Sequence, residues 1–282
     1  QFFPSSENVF EVSTFDPEGD EIFLNWSIQS GTLDPVYDIA NWLLPSTAGF
    51  YNISCTASDP SGSSNTATLT AIVCSLSTTN MSEINVEEWN FEGSALWNDS
   101  ENTLELTPVE TGQVGTAFNT IDTISGFQAE ITFDFYIGDG SGADGLTFTA
   151  LDVDRMTTFL GESGGGIGYG GLPGWTIEID TYYNGGSDPT PDDHLAFTFD
   201  GNSSEYILWS ALPEMEDNGW HTIKIRVNAP HVYVEVDEIT YINEEVEGWT
   251  NFNAIVGFTA GTGGATNRHA IKSLIVSDTN CE

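Results

Sequence analysis

The chain has 282 residues, with 43 Asp or Glu against 5 Lys or Arg and a net charge of −38. That charge repels polyanions and so argues against nucleic acid or anionic membranes as partners, while it favours cations and neutral ligands such as sugars. A hydrophobic content of 39% excludes a disordered acidic tail, and the absence of any run of about 20 apolar residues excludes a membrane-spanning helix.

Residues 1–14, QFFPSSENVFEVST, are apolar and extended. They predict either the first strand of an N-terminal module or a strand lent to a neighbouring molecule's sheet edge, a route to a homo-oligomer or filament. FDPEGDEIFLNW (15–26) reads as an acidic turn and then a strand ending on Trp26. Asp16, Glu18 and Asp20 read first as a polar turn and second as an interdomain Ca²⁺ site. GFYNISCTASDPSGSS (49–64) reads as a strand followed by an Asp-Pro-Ser-Gly turn. These two motifs resemble the cadherin-like and PKD-like repeats of microbial surface proteins, which act as spacers. The resemblance implies an Ig-like β-sandwich over residues 1–76.

SLSTTNMSEI (75–84) is a polar stretch that marks the boundary, leaving 77–282 as the larger domain. Alternation dominates from there on. Ile131, Phe133, Phe135 and Ile137 oppose Thr132, Asp134 and Tyr136; Ile223, Ile225 and Val227 oppose Lys224 and Arg226; Val232, Val234 and Val236 oppose Tyr233, Glu235 and Asp237. These are half-buried antiparallel strands, the last two joined by a hairpin at Asn228-Ala229-Pro230. Long helical periodicity is absent, so the fold class is all-β, a sandwich or jelly roll.

The three cysteines contain no C-x-x-C pair, which argues against zinc and thioredoxin-type sites. Folding 49–74 about its turn sets Cys55 near Thr68, so Cys55 is expected to be a buried free thiol. Cys74 and Cys281 bracket the larger domain and form the expected disulfide, since terminal strands of a sandwich are often neighbours. The start at Gln1 reads as a mature or excised segment. Richness in Ser, Thr, Asn and Gly with little Lys reads as secreted or cell-surface. Sequons at Asn25, Asn52, Asn80, Asn98 and Asn202 permit glycosylation.

The densest chemistry lies in WTIEIDTYYNGGSDPTPDDH (175–194). Glu178, Asp180, Tyr182 and Asn184 occupy alternate positions, so a strand there would throw all four to one side. Asp188, Asp192, Asp193 and His194 follow in a short loop. So many hard oxygen donors suit Ca²⁺, and Glu with His suits a neighbouring transition metal. Three further segments accompany it: GADGLTFTA (142–150), the glycine loop GESGGGIGYGG (161–171) and VGFTAGTGGATNRHAI (256–271).

In this order, the four segments resemble the L-type (legume-lectin-like) lectins, especially the bacterial members found in surface adhesins. The resemblance covers nearly all of 85–279 and implies a concanavalin-like antiparallel jelly-roll sandwich. It implies that Asp144, after a cis peptide, accepts hydrogen bonds from sugar hydroxyls. It implies Ca²⁺ held by Asp180, the Tyr182 carbonyl, Asn184 and Asp188, with Asn184 also donating to the sugar. A second, Mn²⁺-like ion uses Glu178, Asp180, Asp188 and His194; some relatives lack it. A glycine N–H completes the sugar contact, from Gly165, Gly166, Gly263 or Gly264. Among Tyr169, Tyr183 and Trp175 as aromatic covers for the sugar, Tyr183 is preferred, because on a strand it points opposite to Tyr182. Either Asp192 or Asp193 could replace a standard ligand.

Two other readings compete. The related family-16 glycoside hydrolases carry E-x-D-x-x-E, but position 183 is Tyr, so half of the acid/base pair is missing and no enzyme is expected. GESGG (161–165) and GIGYGG (166–171) formally match nucleophile-elbow and dinucleotide motifs, but neither is followed by the helix those sites require. The remaining alternative is a structural subunit of a surface filament or adhesin stalk, with the metal serving rigidity. His221, His231 and His269 read as structural or surface residues.

Overall fold

The computed structural model describes residues 2, 4–79, 84–250 and 252–280. The chain divides into two compact units, Gln1–Ser77 with Thr279–Glu282, and Thr78–Asp278. Cys281 lies outside the described residues, so its expected bridge to Cys74 has no structural description.

The first unit pairs two three-stranded antiparallel sheets. One runs Glu7–Glu11, Ile39–Leu43, Thr32–Val36; the other runs Phe23–Ile28, Gly49–Ser58, Ser64–Val73. Their inward faces bury Ala40, Trp42, Leu44, Ile53, Ala71 and Val73, with Phe10 and Trp26 packed alongside. The segment Glu7–Glu11 pairs with Ile39–Leu43 of its own unit. The 15–26 strand runs on to Ile28, past the expected end at Trp26. Asp16 Oδ1 accepts from the N–H groups of Glu18 and Asp20 at 2.9 and 3.0 Å, a side-chain-capped turn. Asp59 does the same for Ser63, at 3.0 Å. Cys55 is a buried free thiol opposite Ala67, one residue from the expected Thr68. Within the polar stretch expected to be a boundary loop, Ser75–Thr79 forms a strand.

The second unit is an all-β antiparallel jelly-roll sandwich. One layer runs Leu208–Ala211, His194–Phe199, Gly174–Asp180, Gly145–Asp152, Asn253–Gly261. The other carries Gln128–Gly138 between Trp220–Asn228 and Arg268–Asn280, with His231–Val236 and Ile239–Glu245 beyond. Alternation sets the packing: Ile131, Phe133, Phe135 and Ile137 are buried, as are Ile223, Ile225, Val227 and Val232, Val234, Val236. Phe133 meets Phe258 and Phe148 of the facing layer, with centroids 4.8 and 6.0 Å away. The hairpin after Asn228 closes with Asn228 opposite His231 and a cis Ala229–Pro230 bond.

Candidate metal and carbohydrate site

Four strand ends build the site. Gly145 lies opposite Asp180 on one side and Gly261 on the other. His194 opens its strand directly opposite Asp180. The register therefore places Asp144, Asp180, His194 and the loop after Gly261 at one edge of the layer, where the ladder stops and side chains can converge.

Glu178, Asp180 and His194 are buried, and a ligand atom from each lies within 4.8 Å of the others. Glu178 divides its oxygens. Oε2 accepts the Tyr169 hydroxyl, while Oε1 has no hydrogen-bond partner; His194 Nε2 has none either. Burial pushes Glu178 up to about 7. Burial, then the charge of Glu178, pushes Asp180 up as well. Burial lowers His194, with Asp188 opposing, so its imidazole is held neutral and free to ligate.

Among the described residues no basic side chain pairs with this cluster. Arg155 is bound to Asp152 and Asp200, Lys224 and Arg226 to Glu130, and Arg268 to Glu101 and Glu105. Lys272 lies over the Trp220 ring. Buried carboxylates need a partner charge. The orphaned Glu178 Oε1 and His194 Nε2 fit a divalent cation, with oxygen and imidazole donors together suiting a borderline metal.

The strand ends at Asp180, so Tyr182 and Asn184 do not continue its alternation. The expectation of four residues on one strand face is corrected here. Side-chain bonds to local backbone replace the ladder. Asp180 Oδ1 accepts the Tyr182 N–H at 2.8 Å, Asn184 Nδ2 donates to the Tyr182 carbonyl at 3.2 Å, and Asp188 Oδ2 accepts the Asn184 N–H. A looped turn thus gathers 180, 182, 184 and 188. Tyr182 and Tyr183 are both exposed, at 43% and 51%, so the contrast that singled out Tyr183 is lost. Tyr169 and Trp175 are fully buried.

Asp144 follows a cis peptide bond. Its N–H donates to the Gly261 carbonyl at 3.0 Å, and its carbonyl accepts the Thr181 N–H at 2.9 Å. The residue is 3% exposed, and Oδ2 has no partner. Burial, then Asp188, pushes it up to about 6. A Cβ at Gly263 would stand 3.1 Å from Asp144 Oδ2, and one at Gly165 would stand 3.0 Å from Asn184 Nδ2. Each of the two polar groups therefore has a bare glycine against it. Gly166 faces Glu162 instead, where a Cβ would come within 2.6 Å, and Gly264 faces open space.

Neither Asp192 nor Asp193 joins the cluster. Asp193 is an anchor: its Oδ2 accepts the Met215 N–H and its carbonyl the Leu212 N–H, both at 2.7 Å. Asp192 donates its N–H to Thr190 Oγ1. Two groups at the site had no sequence signal: Thr181 supports Asp144, and the Tyr206 ring stands edge-on to His194 at 5.4 Å. Tyr169, a candidate sugar cover in the sequence, instead reaches Glu178 across elements.

A family model described as the legume lectin beta-barrel domain matches residues 79–273. The chain belongs to the L-type lectin family. Three solved lectin structures share its fold. Against the VIP36 exoplasmic/lumenal domain in a Ca²⁺/Man-bound form the TM-score is 0.56, at 16% identity over 69% of this chain and 90% of that one. Against basic winged bean lectin with Tn-antigen it is 0.60, at 23% identity over 72% and 98%. Against the Bauhinia forficata lectin in complex with GalNAc it is 0.61, at 19% identity over 74% and 100%. The family match leaves the first 78 residues of the lectin chain outside it. Among the described residues no helix is long and apolar enough to cross a membrane.

Proposed function

We propose that this chain is a non-enzymatic, cation-dependent carbohydrate-binding protein of the cell exterior, recognising neutral glycans through Asp144 and Asn184. The observation that carries the reading is the Asp144 carboxylate. It is buried, has one oxygen without a partner and lies against glycine rather than a side chain. Such an acceptor suits a sugar hydroxyl, with Asn184 and the Gly165 or Gly263 N–H as donors. Asp180, Asp188, Asn184 and the Tyr182 carbonyl would hold Ca²⁺; Glu178 and His194 would add a second, Mn²⁺-like ion. The ion supplies positive charge and rigidity, so less order remains to be imposed when sugar binds.

The first unit is read as an Ig-like spacer, and Cys74–Cys281 as a disulfide. The strand Glu7–Glu11 is already paired within its own unit, which favours the lectin reading over a strand-exchanged filament. A glycan array run in Ca²⁺, in EDTA, and with Asp144→Asn tests the proposal. Signal is expected in Ca²⁺ alone. An unchanged pattern in the variant would remove Asp144 from the site.

A further inference from the structure

Tyr169 belongs to the glycine loop, yet its hydroxyl is bonded to Glu178. Both side chains are fully buried. The loop is held together by its own backbone. Gly161 N–H reaches the Gly168 carbonyl at 2.9 Å, Gly168 N–H the Glu162 carbonyl at 2.7 Å, and Ile167 N–H the Gly164 carbonyl at 2.8 Å. Thr259 Oγ1 adds a bond to the Ile167 carbonyl at 2.6 Å. A segment so tied moves as a unit, and Gly165 at its tip sits against Asn184. Glu178 is therefore shared: one oxygen serves the loop, the other is without a partner, and the same carboxylate offers a ligand atom to the cluster with His194 and Asp180.

We propose that Tyr169 is a positioning residue that couples cation occupancy at Glu178 to the placement of the glycine loop carrying Gly165. The inference rests on the cation reading given above. Glu178, if it held a cation, would have its carboxylate fixed in place, and its hydrogen bond from Tyr169 would then fix the ring and the loop behind it. Outer partners of metal ligands commonly carry this kind of orienting role. The hydroxyl is the connection that the variant isolates, since Tyr169→Phe keeps the buried ring and removes one oxygen.

Hydrogen exchange on the full chain, with EDTA or Ca²⁺ or Mn²⁺ as the sole additions, tests the coupling. In the wild type the metal should slow exchange both in 182–188 and in the loop 161–171. In Tyr169→Phe, protection of 182–188 should persist while the loop no longer responds, and glycan affinity should fall on the order of tenfold. Glu178→Gln keeps an acceptor for the hydroxyl and weakens the ion's grip, so there too the loop should stop responding. A Tyr169→Phe loop that still tightens with metal overturns the coupling alone. A wild-type chain showing no metal response at 182–188 overturns the cation reading and the coupling with it.

Discussion

Two groups of carboxylates in the second unit are treated in opposite ways. Glu105 is half-buried. Burial raises it, but Arg268 with Thr103 outweighs that, and the net shift is downward. Arg268 meets Glu105 at 2.6 Å and Glu101 at 2.5 Å, and stacks on Tyr136 at 5.2 Å. Glu178 and Asp180 are buried more deeply and receive no guanidinium or ammonium among the described residues. Their shifts go upward. With 5 basic residues for 43 acidic ones, most carboxylates must stay in water. The first group is complete as folded, whereas the second has no counter-charge among the described residues.

The comparison can be broken most severely at Asp180. Asp180→Ala should abolish the Ca²⁺-induced rise in melting temperature, followed by scanning fluorimetry with and without EDTA. Arg268→Ala should lower stability by about 2 kcal/mol, by urea denaturation, yet leave the Ca²⁺ response intact. Were both variants to lose the Ca²⁺ response, the two regions would not be distinct. Asp144→Asn should cut glycan affinity by about ten- to a hundredfold, the worth of a hydrogen bond to a charged group, and leave the Ca²⁺ melting shift in place.

Acidity separates the two regions by sign. At Glu178, Asp180 and Asp144 the folded pKa stands above the unfolded one. Without a cation, the folded state binds the extra protons, and stability declines as pH rises from about 4, through about 6 for Asp144 and about 7 for Glu178, and on to higher pH for Asp180. Ca²⁺ competes with those protons, so its stabilising effect should be large at pH 8 and small at pH 5. Glu105 runs the other way: its contribution is present above the ordinary carboxylate range and is lost as pH falls through its lowered value. Buried His269, pushed down to about 3, adds acid sensitivity that starts near pH 6.5 whether or not Ca²⁺ is present. Melting curves at pH 3, 5, 6.5 and 8 with and without Ca²⁺ check all three. The smallest effect is expected at Lys272→Met, which removes a cation–π contact worth about 0.5–1 kcal/mol.

Much of this was legible in the residues. Period-two alternation identified the strands around Phe133, Ile225 and Val234, because a half-buried sheet writes its face directly into the sequence. The hairpin at Ala229-Pro230 was legible from its turn residues. Asp144, Asn184, Gly165 and Gly263 were reachable through the order of four motifs and not through any single spacing. Alternation failed past Asp180, because side chains there bond their own backbone and end the ladder two residues before Tyr182. Choosing Gly165 over Gly166 depends on a single turn, which spacing does not encode. Tyr206 was hidden, and Tyr169 was read as a sugar cover rather than a partner of Glu178, because such partners are set by how the loops fold back over the sheet.

On the proposed function, the strand-end cluster takes its counter-charge from a divalent ion. EDTA-stripped protein dialysed against Ca²⁺ and assayed for bound metal tests it most directly. At least one ion per chain should be retained by the wild type and lost in Asp180→Ala. Equal, negligible metal in both would contradict the account.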